Sequence, residues 1–256
     1  MSGLGAEPAL FWVIAVLAVL LAGFSKASTG GGIAMLAVPM LSLLVAPQRA
    51  AAIMLPILCL LDLLGVWTYR RQVDRALLRQ LMPGALLGIV IGALVFGIVD
   101  VRWVKGLLGA ECIIFALHRL GAARTIAAAA AQPADRLRGN FWSTLSGFTS
   151  TLAHAGGPPL MQYLLPLKLD KLRLIATTVY FFAAVNYIKL VPYGMLGLLD
   201  AGNLTPALVL LPAVPVGYWI GYRFAQLIPE RPFIAFINWS LLITGIKLLA
   251  DGVFGW

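Results

Sequence analysis

Two short polar stretches interrupt a chain that is otherwise mostly hydrocarbon, and any fold has to accommodate both. The first runs Gly23-Phe24-Ser25-Lys26-Ala27-Ser28-Thr29-Gly30-Gly31-Gly32. The second, from Gly147-Phe148 through Thr149-Ser150-Thr151 and His154 to Gly156-Gly157-Pro158-Pro159, opens with the same pair, continues with hydroxyl residues and closes on adjacent glycines. Each lies between two apolar segments, where glycine lets the chain turn and leaves backbone N–H groups uncovered. In a bilayer such a break must be buried in protein or line a cavity, because hydrocarbon offers no hydrogen-bond partner.

The bilayer is where the rest of the sequence belongs. With 61% hydrophobic and only 11% charged residues and a mean hydropathy of +0.93, the chain holds several segments able to cross about 30 Å of hydrocarbon. A soluble domain carries about 25% charge. The net charge of +9 does not call for nucleic acid, because Arg and Lys stand in short runs between apolar segments, where positive-inside bias accounts for them. Cys59 and Cys112 fall inside apolar segments without disulfide or metal spacing and read as small buried hydrophobes. The first apolar stretch lacks a basic leader and a cleavage site, so residues 9–24 read as retained.

The expected fold is an all-α polytopic membrane protein of two repeats. Helical segments are expected at 9–24, 30–46, 48–68, 77–99 and 103–120, then at 139–153, 156–168, 172–192, 204–226 and 233–252. Aligning Gly23-Phe24 on Gly147-Phe148 places Ala52 on Ala176, Asp62 on Asn186 and Tyr69 on Tyr193. A second register places Pro83, Gly88 and Gly92 on Pro212, Gly217 and Gly221. Small residues four apart permit close helix approach, so these glycines read as packing contacts rather than ligands. The implied domains are a first transmembrane repeat over 1–120, a cytoplasmic linker over 121–138 and a second transmembrane repeat over 139–256.

Basic residues set the orientation. Arg70, Arg71, Arg75 and Arg79 follow the third segment, and Arg119, Arg124, Arg136 and Arg138 surround the linker, which places both regions inside. The corresponding loop of the second half, 193–203, has no Lys or Arg. Inverting the second repeat brings Lys168, Lys171, Arg173, Arg223 and Arg231 inside as well, with both termini outside. The first two segments of each repeat read as short, which leaves open whether each pair crosses fully or forms a re-entrant hairpin.

A helix starting at a glycine-rich turn offers free N–H donors and the positive end of its dipole, which favours an anion. Segments starting at Gly30 and near Gly156 would do this, with Gly31, Gly32 and Gly157 beside them. Ser25, Ser28, Thr29, Thr149, Ser150 and Thr151 add neutral donors. Lys26 is either a ligand or a flanking charge, and His154 either a ligand and proton relay or a hydrogen-bonded buried ring. Asp62 and Glu111, inside apolar segments, are candidates for proton coupling together with His154. Asp62 could instead cap a broken helix or pair with Lys26, while its counterpart Asn186 joins the binding set. Lys189 is either a second positive charge there or an interfacial residue. The sequence shows no nucleophile elbow, metal spacing or nucleotide loop, so no catalytic residue, cofactor or metal is expected and transport would draw on gradients.

The Gly-Phe start, the Ser25 to Gly32 run followed by Pro39, Ala50-Ala51-Ala52, Tyr69-Arg70-Arg71 and the Pro-x4-Gly-x3-Gly pattern, repeated in the second half, resemble the TauE/SafE sulfite exporter family over almost the whole chain. The resemblance implies secondary transport, by export, of sulfite or a related sulfur oxyanion or sulfonate across a bacterial inner membrane. A passive anion channel and a membrane scaffold for a partner enzyme are the alternatives. The partners expected are a small sulfur-containing anion, the lipid bilayer and, as an open option, a second copy in a homodimer.

Overall fold

The computed structural model describes residues 8–29, 36–96, 98–128, 132–224 and 230–254. Eleven α-helices and no strand are found among them: α1 (Ala9–Thr29), α2 (Ala37–Ser42), α3 (Pro47–Thr68), α4 (Arg75–Phe96), α5 (Val101–Ala128), α6 (Arg136–Ala153), α7 (Gly157–Leu164), α8 (Lys171–Met195), α9 (Ala201–Leu210), α10 (Ala213–Phe224) and α11 (Glu230–Phe254). A 3-10 turn, Leu165–Leu167, extends α7. Four of these helices, α1, α3, α4 and α8, are long and apolar enough to cross a membrane, and the bent pair α9 and α10 makes a fifth candidate. The chain is an all-α polytopic membrane protein.

Acidic side chains start many of these helices. Asp74, Asp135, Asp170 and Asp200 each accept a hydrogen bond from the backbone N–H three residues on, and Asp100 accepts from Arg102 N. An N-cap carboxylate satisfies an otherwise orphaned donor and complements the helix dipole, so these five need no further role. Among the carboxylates whose side chains the structure describes, Asp62, Glu111 and Asp251, which lie in helix interiors, are left to explain.

The helices depart from the expected segments at particular places. The first helix of each half is longer than expected, since α1 runs on through Lys26 to Thr29 and α6 begins at Arg136, capped by Asp135, with a polar first turn. At 1.5 Å per residue α1 is about 30 Å long, whereas the eight residues of α7 span about 12 Å, too short to cross. The fifth helix continues to Ala128 into the stretch read as a linker, because an alanine run is the best helix former. The segment expected over 204–226 is broken between Leu210 and Ala213 with a 45° bend. Pro212 sits at the break and Pro215 just beyond it, and a proline lacks the N–H and crowds the carbonyl of the preceding turn.

The two halves interlock. α1 packs along α10 and α4 along α6, while α3 packs against α8 and α5 against α11. First helix on the other half's fourth, third on third and fifth on fifth is the contact pattern of a two-fold relation. Glycine makes the crossed pairs possible. A Cβ on Gly88 would lie 2.0 Å from the Thr144 carbonyl oxygen, and one on Gly217 would lie 2.8 Å from Leu20 Cα. One on Gly92 would meet Thr151 at 2.8 Å, and one on Gly221 Phe24 Cα at 2.5 Å. Leu20 and Thr144 are equivalent positions of the two halves, as are Phe24 and Phe148, so both seams use the same register. The glycines are packing contacts, as their spacing implied.

Gly88→Ala should therefore destabilise the protein by roughly 1–3 kcal/mol through overpacking. A Cβ on Gly106 meets nothing within 4 Å, so Gly106→Ala should leave stability unchanged or raise it slightly. Thermal unfolding in detergent compares the two, and equal losses would remove the close-packed seam from the account.

Candidate functional site

The polar groups of the first break converge on the middle of α3. Lys26, in the last turns of α1, is 2% exposed and its ammonium donates to Asp62 Oδ1, with the Phe182 ring 5.6 Å away. Asp62 is wholly buried, and its Oδ2 accepts from Asn186 Nδ2 of α8 at 2.6 Å. Both carboxylate oxygens are thus occupied, as a buried charge requires. Asp62 and Asn186 stand 124 residues apart at equivalent positions. This contact joins two positions that the sequence alignment of the halves equates.

The second break reaches the same place from α6. Lys189, wholly buried on α8, donates to Ser150 O at 2.8 Å, to Ser150 Oγ at 3.0 Å and to His154 Nδ1 at 2.7 Å. The other ring nitrogen of His154, Nε2, lies 2.9 Å from the Ala51 carbonyl oxygen of α3. A carbonyl only accepts, so Nε2 carries the hydrogen and Nδ1 offers its lone pair to the ammonium. His154 follows the last residue of α6 with φ 54°, the left-handed conformation usually left to glycine and costing roughly 1–2 kcal/mol for other residues. The strain positions an imidazole between α3 and α8.

Matching tyrosines hold the two breaks. Tyr69 donates to Ala27 O at 2.8 Å and Tyr193 to Thr151 O at 2.6 Å, again equivalent pairs. The hydroxyls of the second break serve the break itself. Ser146 Oγ donates to Gly156 O at 2.6 Å, Thr151 Oγ1 to Gly147 O at 2.8 Å and Thr149 Oγ1 to Ala155 O at 3.2 Å. Gly156 precedes α7 as its N-cap and Gly157 begins it; a Cβ on Gly156 would lie 2.5 Å from Ser146 O.

The expected site residues thus divide. Lys26, Asp62, Ser150, His154 and Asn186 meet in one buried cluster, and Ser25 is buried on α1 beside Lys26. Thr149, Thr151, Gly156 and Gly157 build the adjoining break. Ser28 and Thr29 end α1, their side chains outside the described residues, and Gly30, Gly31 and Gly32 also lie outside them. Glu111 stands apart on α5, against an apolar cavity of about 400 Å³ between α5, α6 and α7.

Sequence reasoning undervalued Lys189. Its place three residues after Asn186 fits an inward face as well as an interfacial one, and only packing decides between them. The Ala51 carbonyl gave no signal, because any residue supplies one. Within this cluster two lysine side chains, Lys26 and Lys189, stand against one carboxylate, Asp62.

Residues 15–248 match the family model of Sulfite exporter TauE/SafE. The chain belongs to this family. Comparison with the curated proteins and with the solved structures returns no match. Membership makes the chain one of a group of transporters rather than enzymes, in keeping with its membrane-length apolar helices.

The ion pair predicts its own energetics. Asp62→Ala should destabilise the protein by roughly 3–5 kcal/mol, because Lys26 is left buried without a counter-charge. The double change Lys26→Met with Asp62→Leu should recover most of that loss. Thermal unfolding of both proteins in detergent checks this, and a double variant as damaged as the single one would contradict it.

Proposed function

We propose that the chain is a secondary transporter that exports sulfite or a related small sulfur oxyanion or sulfonate across a bacterial inner membrane. The observation that carries this reading is a second buried lysine, Lys189, that has no carboxylate partner among the described residues where α1, α3, α6 and α8 meet. An uncompensated ammonium is costly in low dielectric, and a small anion is the counter-charge that removes the cost. Lys189 is the natural ligand: it shares its hydrogens among neutral acceptors, whereas Lys26 is held by Asp62. An incoming anion displaces Ser150 or His154 from Lys189 and accepts stronger, charge-assisted bonds. Ser25, Ser28, Thr29 and the Gly30–Gly32 backbone would complete the site from the first break.

The exchange of access follows from the interlocking. Each first helix is clamped by glycine contacts to the opposite half, so α1 travels with α10 and α6 with α4. Movement of one such pair against the other opens the cluster to one side and closes it to the other. With the repeats inverted and both termini outside, the arginine-rich loop after α3 faces the cytoplasm. A cysteine at Gly202 should then react with an impermeant label from outside and one at Arg75 from inside. Both reacting from the same side would refute the inversion.

Binding tests the site itself. Purified wild-type protein should bind sulfite, thiosulfate or a short sulfonate saturably and in preference to sulfate; binding of none of them would reject the reading. Lys189→Met should weaken binding at least tenfold, about 1.4 kcal/mol, while Lys247→Met should leave it unchanged. Lys247 is paired with Asp251 on α11, away from the cluster. Equal effects of the two substitutions would reject Lys189 as the anion ligand.

A further inference from the structure

Of the three carboxylates in helix interiors whose side chains the structure describes, two are accounted for. Asp62 is bonded to Lys26 and Asn186, and Asp251 takes Lys247 and Lys105, the latter at 3.8 Å. Glu111 is different. Its Oε1 is buried and has no hydrogen-bond partner among the described residues. It borders the 400 Å³ cavity, whose walls include Phe115 of α5, Trp142, Phe148 and Leu152 of α6 and Pro158 of α7.

Among the residues whose side chains the structure describes, few groups face Glu111. On α6 and α7 the polar residues lining the cavity are Thr149 and Gln162, and Thr149 shares that lining with Glu111. On α5 itself the titratable neighbours are Cys112 and Lys105. On α11, Lys247 and Asp251 are bonded to each other, and Lys105 turns to the same aspartate. α3 also packs on α5; its charged groups are Arg49 near its start and Asp62, already paired. α2, the remaining neighbour of α5, has no charged residue.

Thr149 occupies a decisive place. Its hydroxyl lies 3.2 Å from Ala155 O, inside the break that carries His154, and 3.5 Å from Ser146 O of its own helix, so the nearer acceptor for its one hydrogen is the Ala155 carbonyl. A hydroxyl can accept from one partner while it donates to another, but it can donate to only one. While Glu111 is a carboxylic acid, the acid O–H can donate to Thr149 Oγ1 and Thr149 to Ala155. When Glu111 gives its proton to water it becomes a carboxylate that lacks a donor, a costly state for a buried charge. The Thr149 hydrogen then turns to it and Ala155 loses its donor. That loosens the His154–Gly156 break, and with it two of the groups that hold Lys189, His154 Nδ1 and Ser150.

We propose that Glu111 is a proton-binding residue read by Thr149, so that loss of its proton frees the break around Lys189 for an anion and regain of the proton closes it. Proton and anion thereby occupy the protein in alternation. This rests on the anion site proposed above, but the Glu111–Thr149 switch can be read without any anion.

Infrared difference spectra of the purified protein between acid and alkaline pH should show loss of a carboxylic-acid C=O stretch together with an amide change from the released carbonyl. Glu111→Gln should abolish that acid band, and Glu111→Asp should shift it. Thr149→Val should keep the acid band and lose the accompanying amide change. Wild type and Glu111→Gln giving the same difference spectrum would overturn the proposal whether or not the protein binds sulfite. Sulfite affinity, measured on wild type and Glu111→Gln, then tests the coupling, since protonation of sulfite itself is common to both. Wild-type affinity should rise with pH more steeply, by about tenfold over the unit around the titration of one linked proton. Parallel curves would overturn the coupling, and absence of sulfite binding by wild type would fail the anion reading instead. Gel filtration and unfolding of Glu111→Gln show that it is folded before either comparison.

Discussion

A buried ion pair needs every lone pair and hydrogen satisfied, and the centre of this protein is organised around that demand. Asp62 lies on a helix with hydrocarbon on both sides, and it is tolerable there because Lys26 and Asn186 occupy its two oxygens. Supplying those partners requires α1, α3 and α8 to meet at one depth. Lys189 makes a parallel demand on α6, met by the helix-end carbonyl and hydroxyl of Ser150 and by a histidine held in a strained backbone conformation. The polar cluster therefore fixes where four helices cross, and the apolar residues around it fill the space those crossings leave.

Close approach is the second requirement. Ammonium and carboxylate groups on different helices meet only if their backbones are near, and the seams of α1 with α10 and α4 with α6 are near because glycine replaces side chains along them. The same feature limits how the protein can move. Helices packed backbone to backbone shift as a pair, so α1 and α6 are tied to the opposite half rather than to their own. Asp62 and Asn186 face each other from positions that the aligned halves equate, and their chemistry differs. An aspartate pairs with an asparagine, and Lys26 has Ser150 as its counterpart.

Much of this was legible in the residues. Hydropathy and the basic loops led to a polytopic helical chain, because a spanning helix must be long and apolar whatever its neighbours are. The repeated Gly-Phe breaks marked the segments that meet at the centre, and the Pro-x4-Gly-x3-Gly pattern marked the close-packed seams. Of the candidate site residues, Lys26, Asp62, Ser150, His154 and Asn186 were brought together, each being a polar group that hydrocarbon could not have accommodated alone. Less was legible at the helix ends. The α9–α10 bend, the extension of α5 into its alanine run and the full length of α1 depend on local backbone competition that hydropathy does not register.

The amino-acid sequence alone determined that the chain is helical and polytopic and that its polar breaks are its unusual parts. These follow from composition and periodicity, which act residue by residue. Tertiary structure decided which polar groups pair. Lys26 became the partner of Asp62, Lys189 turned from the interface to the core, and the hydroxyls of Thr149 and Thr151 went to the carbonyls of their own break. The physical reason is that a hydrogen bond is settled within a few tenths of an ångström, and such distances are set by helix packing across the two halves rather than by the residues on either one.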